Sequence, residues 1–359
     1  MAKQTFPRLR LKGSPHEIGR QHGAEFASRI HDNIKIYFRN FSHYASLDAD
    51  AVFARAKGFI PIIESFDREL MDEIRGIADG AKARLEDVVA INARTEMMFK
   101  EGVKLMHGEC TSLAATSEST TNHHTMIGQN WDWMPQIQKN CVLLEIEQAS
   151  KPDVITFTEA GVVGKIGMNS DGIGLCCNLL VGAQTVPGVP FHLLCRGILN
   201  SSSMGDAVGV IFGNQSGACG NFLIGHGDGE AIDLENTPKG GDYLYGRTGV
   251  MSHTNHFESR VAVEDQGRKL IPDTILRYCR SGKLLNQENG HVGPDSFQRV
   301  FKDHFNYPAA ICRHRNEALP EPEQLQTNAS IIMDLTDRRM MLCHGSPCQG
   351  DYDEITFSQ

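Results

Sequence analysis

Several features that would place this chain in a specialised class are missing from its 359 residues. It has no run of 18 apolar residues, which predicts that no membrane is a partner. The first residues, 1–8, lack an apolar core of signal-peptide length, so we expect a cytoplasmic protein. No internal repeat and no low-complexity tract interrupts the sequence. These absences leave an ordinary globular protein of one large or two smaller domains.

Positive charge is also in short supply, with 35 basic against 44 acidic residues and a net charge of -9. Because no basic stripe is present, we expect no nucleic-acid partner. No C-x-x-C pair occurs among the ten cysteines, which predicts that most are reduced and buried. A nucleotide-binding fingerprint is absent as well. Apolar content of 40% and charged content of 22% complete the picture of a globular chain.

Two kinds of periodicity divide the chain at 109/110. Residues 14–99 are predicted to be helical, beginning at a Ser14–Glu17 capping box and interrupted at Pro61. After Cys110 the pattern alternates as in strands, and we expect an α+β fold with mostly antiparallel sheets. Predicted strands are 142–146, 154–158, 162–168, 174–180, 220–225, 230–235, 250–253, 330–335 and 339–344. Predicted helices in this part are 191–199, 204–212 and a segment within 267–305.

Cys110 is the residue with the clearest chemical potential. It precedes Thr111 and opens an apolar run, which is typical of the first residue of a strand. If the peptide bond after Glu109 is cut, Cys110 gains an α-amino group, whose pKa near ~8 suits it to accept the thiol proton. Nucleophile and base would then belong to one residue.

Polar residues in otherwise apolar surroundings supply further candidates. Asp132 lies between the only two tryptophans, where its carboxylate would hold an ammonium group or orient the thiol. Asn255 ends a predicted strand and would donate an N–H to an oxyanion. Asn178 lies inside an apolar strand and needs a polar partner, either substrate or backbone. Arg313 would clamp a carboxylate or a carbonyl. Candidates for substrate contact are Thr111, Trp131 and Trp133.

Ordered segments along almost the whole chain resemble the acyl-coenzyme A:6-aminopenicillanic acid acyltransferase family of N-terminal nucleophile hydrolases. The segments that carry the resemblance are 13–19 with His22-Gly23, 73–78, 92–96, Cys110-Thr111, 128–132, 158–161 with Gly164-Lys165, 250–256 and 311–313. The resemblance implies a four-layer αββα sandwich. It also implies an inactive precursor that cuts itself between Glu109 and Cys110.

The same resemblance implies two fragments, 1–109 and 110–359, that stay together as a heterodimer in one αββα unit. Their substrate would be a small-molecule or short-peptide amide, cleaved through a thioester on the cysteine. Water or an amine would accept the acyl group, with a coenzyme A thioester as another partner; no cofactor and no metal are expected. The implied catalytic residues are the nucleophile Cys110, Asp132 as orienter of the amine, Asn255 and Asn178 in the oxyanion hole, and Arg313 in support.

One position departs from the family pattern. The penicillin acyltransferase has glycine before its nucleophile, where this chain has Glu109. Glycine lets a strained turn form easily, so the departure bears on the rate of self-cleavage.

Three other interpretations use the same residues differently. The first is an unprocessed Cys-His hydrolase with His107, His253 or His256 as base. The second is a module that cuts itself without later turnover. The third is a metal site, although its candidate spacings match no standard zinc framework. That site would use either His107, Cys110, His123 and His124, or Cys312 and His314.

Overall fold

A computed structural model describes residues 4–98, 109–182, 185–261 and 263–358. The helical part of the sequence follows a short strand and forms six helices, as expected. The strand is β1 (Arg8–Lys12), and the helices are α1 (Pro15–Glu25), α2 (Ala27–Ala45), α3 (Ala49–Phe66), α4 (Arg68–Ala81), α5 (Leu85–Asn92) and α6 (Arg94–Met98). The capping box starts α1, where Ser14 N donates to Glu17 Oε2 over 2.8 Å. None of the helices in the described ranges has the length and apolarity needed to cross a membrane.

The expected interruption at Pro61 is wrong. Helix α3 continues through Pro61, which lies on its exposed side. The proline removes the helical hydrogen bond to the carbonyl of Lys57, and Lys57 is itself an exposed residue. Near the end of the helical part, two short helices, α5 and α6, meet at Ala93.

The rest of the chain forms two sheets and five more helices. The remaining strands are β2 (Glu109–Ala115), β3 (Met126–Trp133), β4 (Cys141–Glu147), β5 (Val154–Glu159), β6 (Ile166–Asn169), β7 (Ile173–Leu179), β8 (Gly220–His226), β9 (Ala231–Thr237), β10 (Gly240–Leu244), β11 (Val250–His253), β12 (Gln326–Asp334), β13 (Arg339–His344) and β14 (Tyr352–Ile355). The helices are α7 (Phe191–Leu199), α8 (Met204–Phe212), α9 (Gly267–Leu270), α10 (Asp273–Asn286) and α11 (Pro294–Phe301). Short 3₁₀ turns occupy Pro135–Asn140 and Glu321–Glu323.

The larger sheet has eight strands in the order β1-β4-β5-β6-β7-β8-β9-β10, and the smaller has six in the order β11-β2-β3-β12-β13-β14. All the strand pairs are antiparallel except β1 with β4, which are parallel. The predicted mostly antiparallel α+β class is therefore confirmed. Two predicted strands have different bounds in the structure. The strand predicted at 162–168 is the shorter β6, and the strand predicted at 330–335 begins earlier, as β12.

The layers follow from what each face touches. The two sheets pack face to face, with Gly174 of the large sheet against Ile127 and Leu335 of the small-sheet side. Helices α7 and α8 cover the outer face of the large sheet, while α10 and α11 cover the outer face of the small sheet. Helices of the 1–98 part extend the first helical layer. This is the four-layer αββα arrangement that the resemblance implies, and it is confirmed.

Helices α1 and α4 touch along their backbones. A Cβ atom on Gly19 would lie 1.9 Å from the carbonyl oxygen of Glu73, and one on Gly76 would lie 2.1 Å from that of His16. Only glycine permits this approach, which explains two of the segments that carry the family resemblance.

A buried cluster of charged side chains joins the helices of residues 1–98 to the large sheet. Glu159 at the end of β5 is fully buried and accepts hydrogen bonds from Arg94 Nη2 and Lys165 Nζ, each over 2.9 Å. Tyr37 donates to the same carboxylate. Burial opposes ionisation, but the two cations outweigh it and lower the pKa of Glu159 to about 2. The segments 92–96, 158–161 and 164–165 thus meet in one ion cluster between helices and sheet.

We expect Glu159→Gln to lower the free energy of unfolding at neutral pH by about 3 kcal/mol, because it leaves two buried cations without their anion. The Glu159 pKa lies below that of the unfolded chain, so its contribution is present above pH 4.5 and is lost as pH falls towards about 2. Urea denaturation of both proteins across this range should show the difference shrinking with acid. The control Glu147→Gln removes an exposed pairing with Arg10 and Lys12 and should change stability little. A difference that grows with acid would contradict this account.

Candidate active site

Cys110 occupies the second position of β2, in the interior of the small sheet. It pairs with Trp131 of β3 and is 5% exposed. Residues directly opposite on paired strands share a face, and the Trp131 ring contacts Phe157 of the large sheet. The thiol therefore points between the two sheets.

Asn255 lies opposite Cys110 because of strand register. His253 of β11 pairs with Ser112 of β2 in an antiparallel register. Asn255, two residues after His253, therefore lies beside Cys110, two residues before Ser112. The backbone N–H of Cys110 donates to Asn255 Oδ1 over 2.9 Å, and Asn255 Nδ2 donates to the carbonyl of Leu179 over 3.0 Å. The structure thus makes Asn255 an acceptor for the backbone nitrogen of Cys110, whereas the sequence predicts an oxyanion donor.

Asn178 on β7 approaches the same face of β2. Its Oδ1 accepts from Ser112 Oγ over 2.7 Å and from Asn221 Nδ2 over 3.0 Å. Ser112 and Cys110 are two residues apart on one strand, so their side chains share a face. Within the described residues, the buried Nδ2 group of Asn178 has no hydrogen-bond partner. This N–H group is a donor left available on the thiol's side of the sheet.

Asp132 faces the opposite side of the small sheet, towards the outer helices. It pairs in register with Glu109, the residue before Cys110, and is fully buried. Thr327 Oγ1 donates to its Oδ1 over 2.6 Å, and Arg313 Nε lies 3.7 Å from its Oδ2. Arg313 Nη2 also donates to Asp273 Oδ2 over 2.6 Å. The side chains of Asp132 and Arg313 are therefore neighbours, and Asp132 lies in the strand position opposite Glu109.

Arg277 on α10 completes the site and was missed from sequence. It is 1% exposed, and its Nη1 donates to the carbonyl oxygen of Cys110 over 2.8 Å and to Thr111 Oγ1 over 3.1 Å. Its Nη2 donates to Asn255 Oδ1 over 3.0 Å, and its Nε donates to Asp273 over 2.9 Å. One guanidinium thus holds the backbone oxygen of Cys110, while the asparagine beside it holds the nitrogen.

The three predicted substrate contacts are placed elsewhere by the structure. Trp131 and Trp133 are each 2% exposed and belong to the core. Lys165 lies over the Trp131 ring, and Trp133 Nε1 donates to Tyr37 Oη over 3.0 Å. Thr111 is fully buried on the helix side, where it accepts from Arg277. These side chains pack and orient the strand, and none presents a surface to substrate.

Burial dominates the electrostatics of the site. It raises the pKa of the Cys110 thiol to about 12, and the nearby Asp132 carboxylate raises it further while Lys165 opposes the shift. Burial likewise raises the pKa of Asp132 to about 8, against the charge of Arg277 and the Thr327 hydrogen bond. The thiol is therefore protonated at neutral pH, and a base would have to take its proton before the sulfur could act as a nucleophile.

The histidines proposed as alternative bases have other partners. His253 Nε2 lies 2.7 Å from Glu235 Oε1, and His256 Nε2 lies 2.7 Å from Glu258 Oε1. Burial lowers the pKa of His253, but Asp233 and Glu235 outweigh it and raise the value to about 9, which makes it a poor base. His107 lies outside the described residues. The metal site with Cys110 is not assembled in the described part of the chain, since His124 pairs with Asp334 over 2.8 Å.

Comparison with known proteins assigns the chain to a family. A family model described as acyl-coenzyme A:6-aminopenicillanic acid acyl-transferase matches residues 119–349, more than half of the chain. This chain belongs to that family. It is 28% identical, over 97% of its own length and 95% of the relative's, to the acyl-coenzyme A:6-aminopenicillanic-acid-acyltransferase 40 kDa form of Emericella nidulans. An uncharacterized protein of Archaeoglobus fulgidus is 23% identical over 62% of this chain and 41% of its own length.

Among solved structures, the chain is similar to two hydrolytic enzymes at low identity. A conjugated bile acid hydrolase variant from Clostridium perfringens has a TM-score of 0.49 at 13% identity, covering 69% of this chain and 97% of its own. Penicillin V acylase from Agrobacterium tumefaciens has a TM-score of 0.47 at 15% identity, covering 66% and 83%.

Proposed function

We propose that this protein is a self-processing N-terminal cysteine amidohydrolase with acyltransferase capacity. The observation that carries the proposal is a pair of side-chain hydrogen bonds to the backbone of Cys110. Its nitrogen donates to Asn255, and its carbonyl oxygen accepts from Arg277. In an uninterrupted sheet these two backbone groups would pair with the backbone of a neighbouring strand, whereas here side chains from the segment after β11 and from α10 contact them. Family membership supports the same reaction class.

In the precursor, the Cys110 sulfur would attack the carbonyl carbon of Glu109. The thiol proton would pass to the backbone nitrogen of Cys110 as the peptide bond breaks, leaving a thioester and a free amine. Water would then hydrolyse the thioester, so that Glu109 ends in a carboxylate and the thiol is regenerated. Asp132, in register with Glu109, would hold the new amine.

In the processed enzyme, the α-amine of Cys110 would take the thiol proton, and the thiolate would attack a substrate amide carbonyl. The unpartnered Nδ2 of Asn178 would donate to the developing oxyanion, an interaction worth about 3 kcal/mol. Asn255 Oδ1 would hold the amine through the position it already occupies beside the nitrogen. The protonated amine would return its proton to the leaving amine, and water or an acceptor amine would release the acyl group from the thioester.

The substrate class follows from this chemistry as a small-molecule or short-peptide amide. The relative from Emericella nidulans is named for acyl-coenzyme A and 6-aminopenicillanic acid. For this chain we assign hydrolysis as the principal reaction, because water needs no dedicated acceptor site. A coenzyme A thioester remains a donor to be included in assays.

The direct test is intact mass spectrometry with N-terminal sequencing of purified protein. We expect two fragments of about 12 and 28 kDa, in proportion to 39.7 kDa for 359 residues, with the larger beginning at Cys110. The variant Glu109→Gly should process faster, because glycine lets the backbone before the cut adopt a strained conformation easily. A single full-length species after prolonged incubation would contradict self-processing, and a different new N-terminus would contradict Cys110 as nucleophile.

A further inference from the structure

A second group of thiols and imidazoles lies outside the site just described. Its members are His304, Cys312, His314 and Cys348, referred to below as the Cys/His cluster. Each offers one ligand atom, and these four atoms all lie within 4.8 Å of one another. The mechanism proposed above uses none of them.

The distances within the Cys/His cluster are those of a common metal centre. His314 Nε2 lies 3.0 Å from His304 Nε2, 3.3 Å from Cys348 Sγ and 3.6 Å from Cys312 Sγ. Zinc bonds of about 2.0 Å to nitrogen and 2.3 Å to sulfur, arranged tetrahedrally, separate neighbouring ligand atoms by roughly 3.3–3.8 Å. The donor atoms are therefore already close to the edges of one tetrahedron.

The fold brings the donors together from three places. Cys312 and His314 flank Arg313 in a segment paired with β12, where Arg313 N donates to Thr327 Oγ1 over 2.9 Å and Thr327 N donates to the Arg313 carbonyl over 3.1 Å. Side chains alternate along such a segment, so both ligands point away from Asp132 while Arg313 points towards it.

The other two donors come from loops. His304 follows α11, and the carbonyl of the preceding residue, Asp303, accepts from Cys312 N over 3.0 Å. Cys348 lies in the turn after β13, which is closed by a hydrogen bond from Gln349 N to the carbonyl of Ser346 over 3.0 Å. Ligands from such distant positions explain why the C-x-H spacing alone matched no zinc framework.

The donor chemistry selects the ion. Two thiols and two imidazoles are soft and borderline ligands, which favour zinc over magnesium or calcium. The ring of Tyr307 packs on both imidazoles, with centroids 6.3 Å from His304 and 5.3 Å from His314, and so limits their rotation.

We propose that the Cys/His cluster binds one Zn²⁺ as a closed, four-ligand structural site. On binding, the two thiols would lose their protons to solvent and the imidazoles would bind as neutral rings, so that the dication meets two thiolates. With four protein ligands no position stays open for water, which assigns the ion a structural rather than a catalytic role.

The position of the site gives the ion a consequence for Arg313. One ligand on each side of this arginine, Cys312 and His314, would fix its backbone. Its side chain contacts both Asp132 and Asp273. Zinc would thereby hold the arginine against the buried carboxylate without touching it. The metal proposal does not depend on Cys110 chemistry and is tested in its absence.

The experiment measures zinc by elemental analysis after gel filtration under reducing conditions, in wild type and in Cys110→Ala. We expect one zinc per chain in both, and loss to background in Cys312→Ser and Cys348→Ser. The matched control is Cys279→Ser, which changes an exposed thiol outside the Cys/His cluster and should keep its zinc. Cobalt in place of zinc should give the strong charge-transfer absorption of thiolate ligands.

A measurement on wild type alone guards against misfolded variants. Cys279 and Cys348 are the exposed cysteines, so a native thiol titration should find one fast thiol with zinc bound and a second after chelation. Zinc-free reduced protein that takes up no added zinc would overturn the proposal. So would retention of zinc in Cys348→Ser, or a Cys312–Cys348 disulfide in protein that binds no metal after reduction.

Discussion

Cys110→Ala is expected to remain one 39.7 kDa chain and to show no turnover on any amide substrate. Both reactions use the same sulfur atom, first on the Glu109 carbonyl and then on substrate, and alanine supplies no nucleophile. Gel electrophoresis and intact mass measure the first effect, and amide hydrolysis assays measure the second. The loss should be complete rather than partial.

Two further variants separate the chemistry from packing. Cys110→Ser keeps a nucleophile of similar size, so slow cleavage with poor turnover is expected. Cys141→Ala removes a buried thiol from the large sheet and should process normally. Turnover by Cys110→Ala would rule out the nucleophile assignment. Normal self-cleavage of Cys110→Ala would show that another residue makes the cut.

Arg277→Met is expected to produce the second large effect, a loss of processing together with about 3–5 kcal/mol of folding free energy. The substitution leaves the Cys110 carbonyl without its donor and removes one of the two arginines that pair with Asp273. Denaturant unfolding gives the stability, and processing should be followed at a temperature where the variant is fully folded.

The control lies one turn along the same helix. Arg280 is 36% exposed and pairs with Asp303, so Arg280→Met should change stability little and leave processing unaffected. Arg277→Lys keeps the charge but lacks the planar fork that reaches Cys110, Thr111 and Asn255 together. We expect this variant to regain stability without regaining rate. A folded Arg277→Met protein that processes as fast as wild type would show that the contact is merely structural.

Local patterns predicted the elements well where one face is buried and the period is clean. The alternation over 142–146 predicted β4, and the helices α7 and α8 were predicted with their observed ends. Pro61 misled because the sequence does not reveal that its side of α3 faces water. Trp131 and Trp133 were candidates for substrate contact, whereas each is 2% exposed and packs in the core.

The site was predictable only as far as chemistry is visible in single residues. Cys110, Asp132, Asn178, Asn255 and Arg313 were each identified by residue type and position, and the structure places Asn255 on the nucleophile's nitrogen and Arg313 beside Asp132.

Arg277 was missed because a buried guanidinium is recognised by its partners, and these come from β2, the segment after β11 and its own helix. The only sign of Arg277's role in the sequence was that the predicted helix within 267–305 lacks a clean apolar stripe. The sequence offered Cys312 and His314 as part of a metal site, but His304 and Cys348 were missed for the same reason, since only the fold brings them close to that pair.

The strand β1 has an implication for a chain cut at 109/110. It pairs in parallel with β4, from Arg8 opposite Leu143 to Lys12 opposite Glu147. The shorter piece would therefore supply one strand, with its row of backbone hydrogen bonds, to a sheet whose other strands belong to the longer piece. Once severed, the two pieces must find each other to refold, and recovery from denaturant becomes dependent on protein concentration. The uncut Cys110→Ala chain refolds as a single molecule at any dilution.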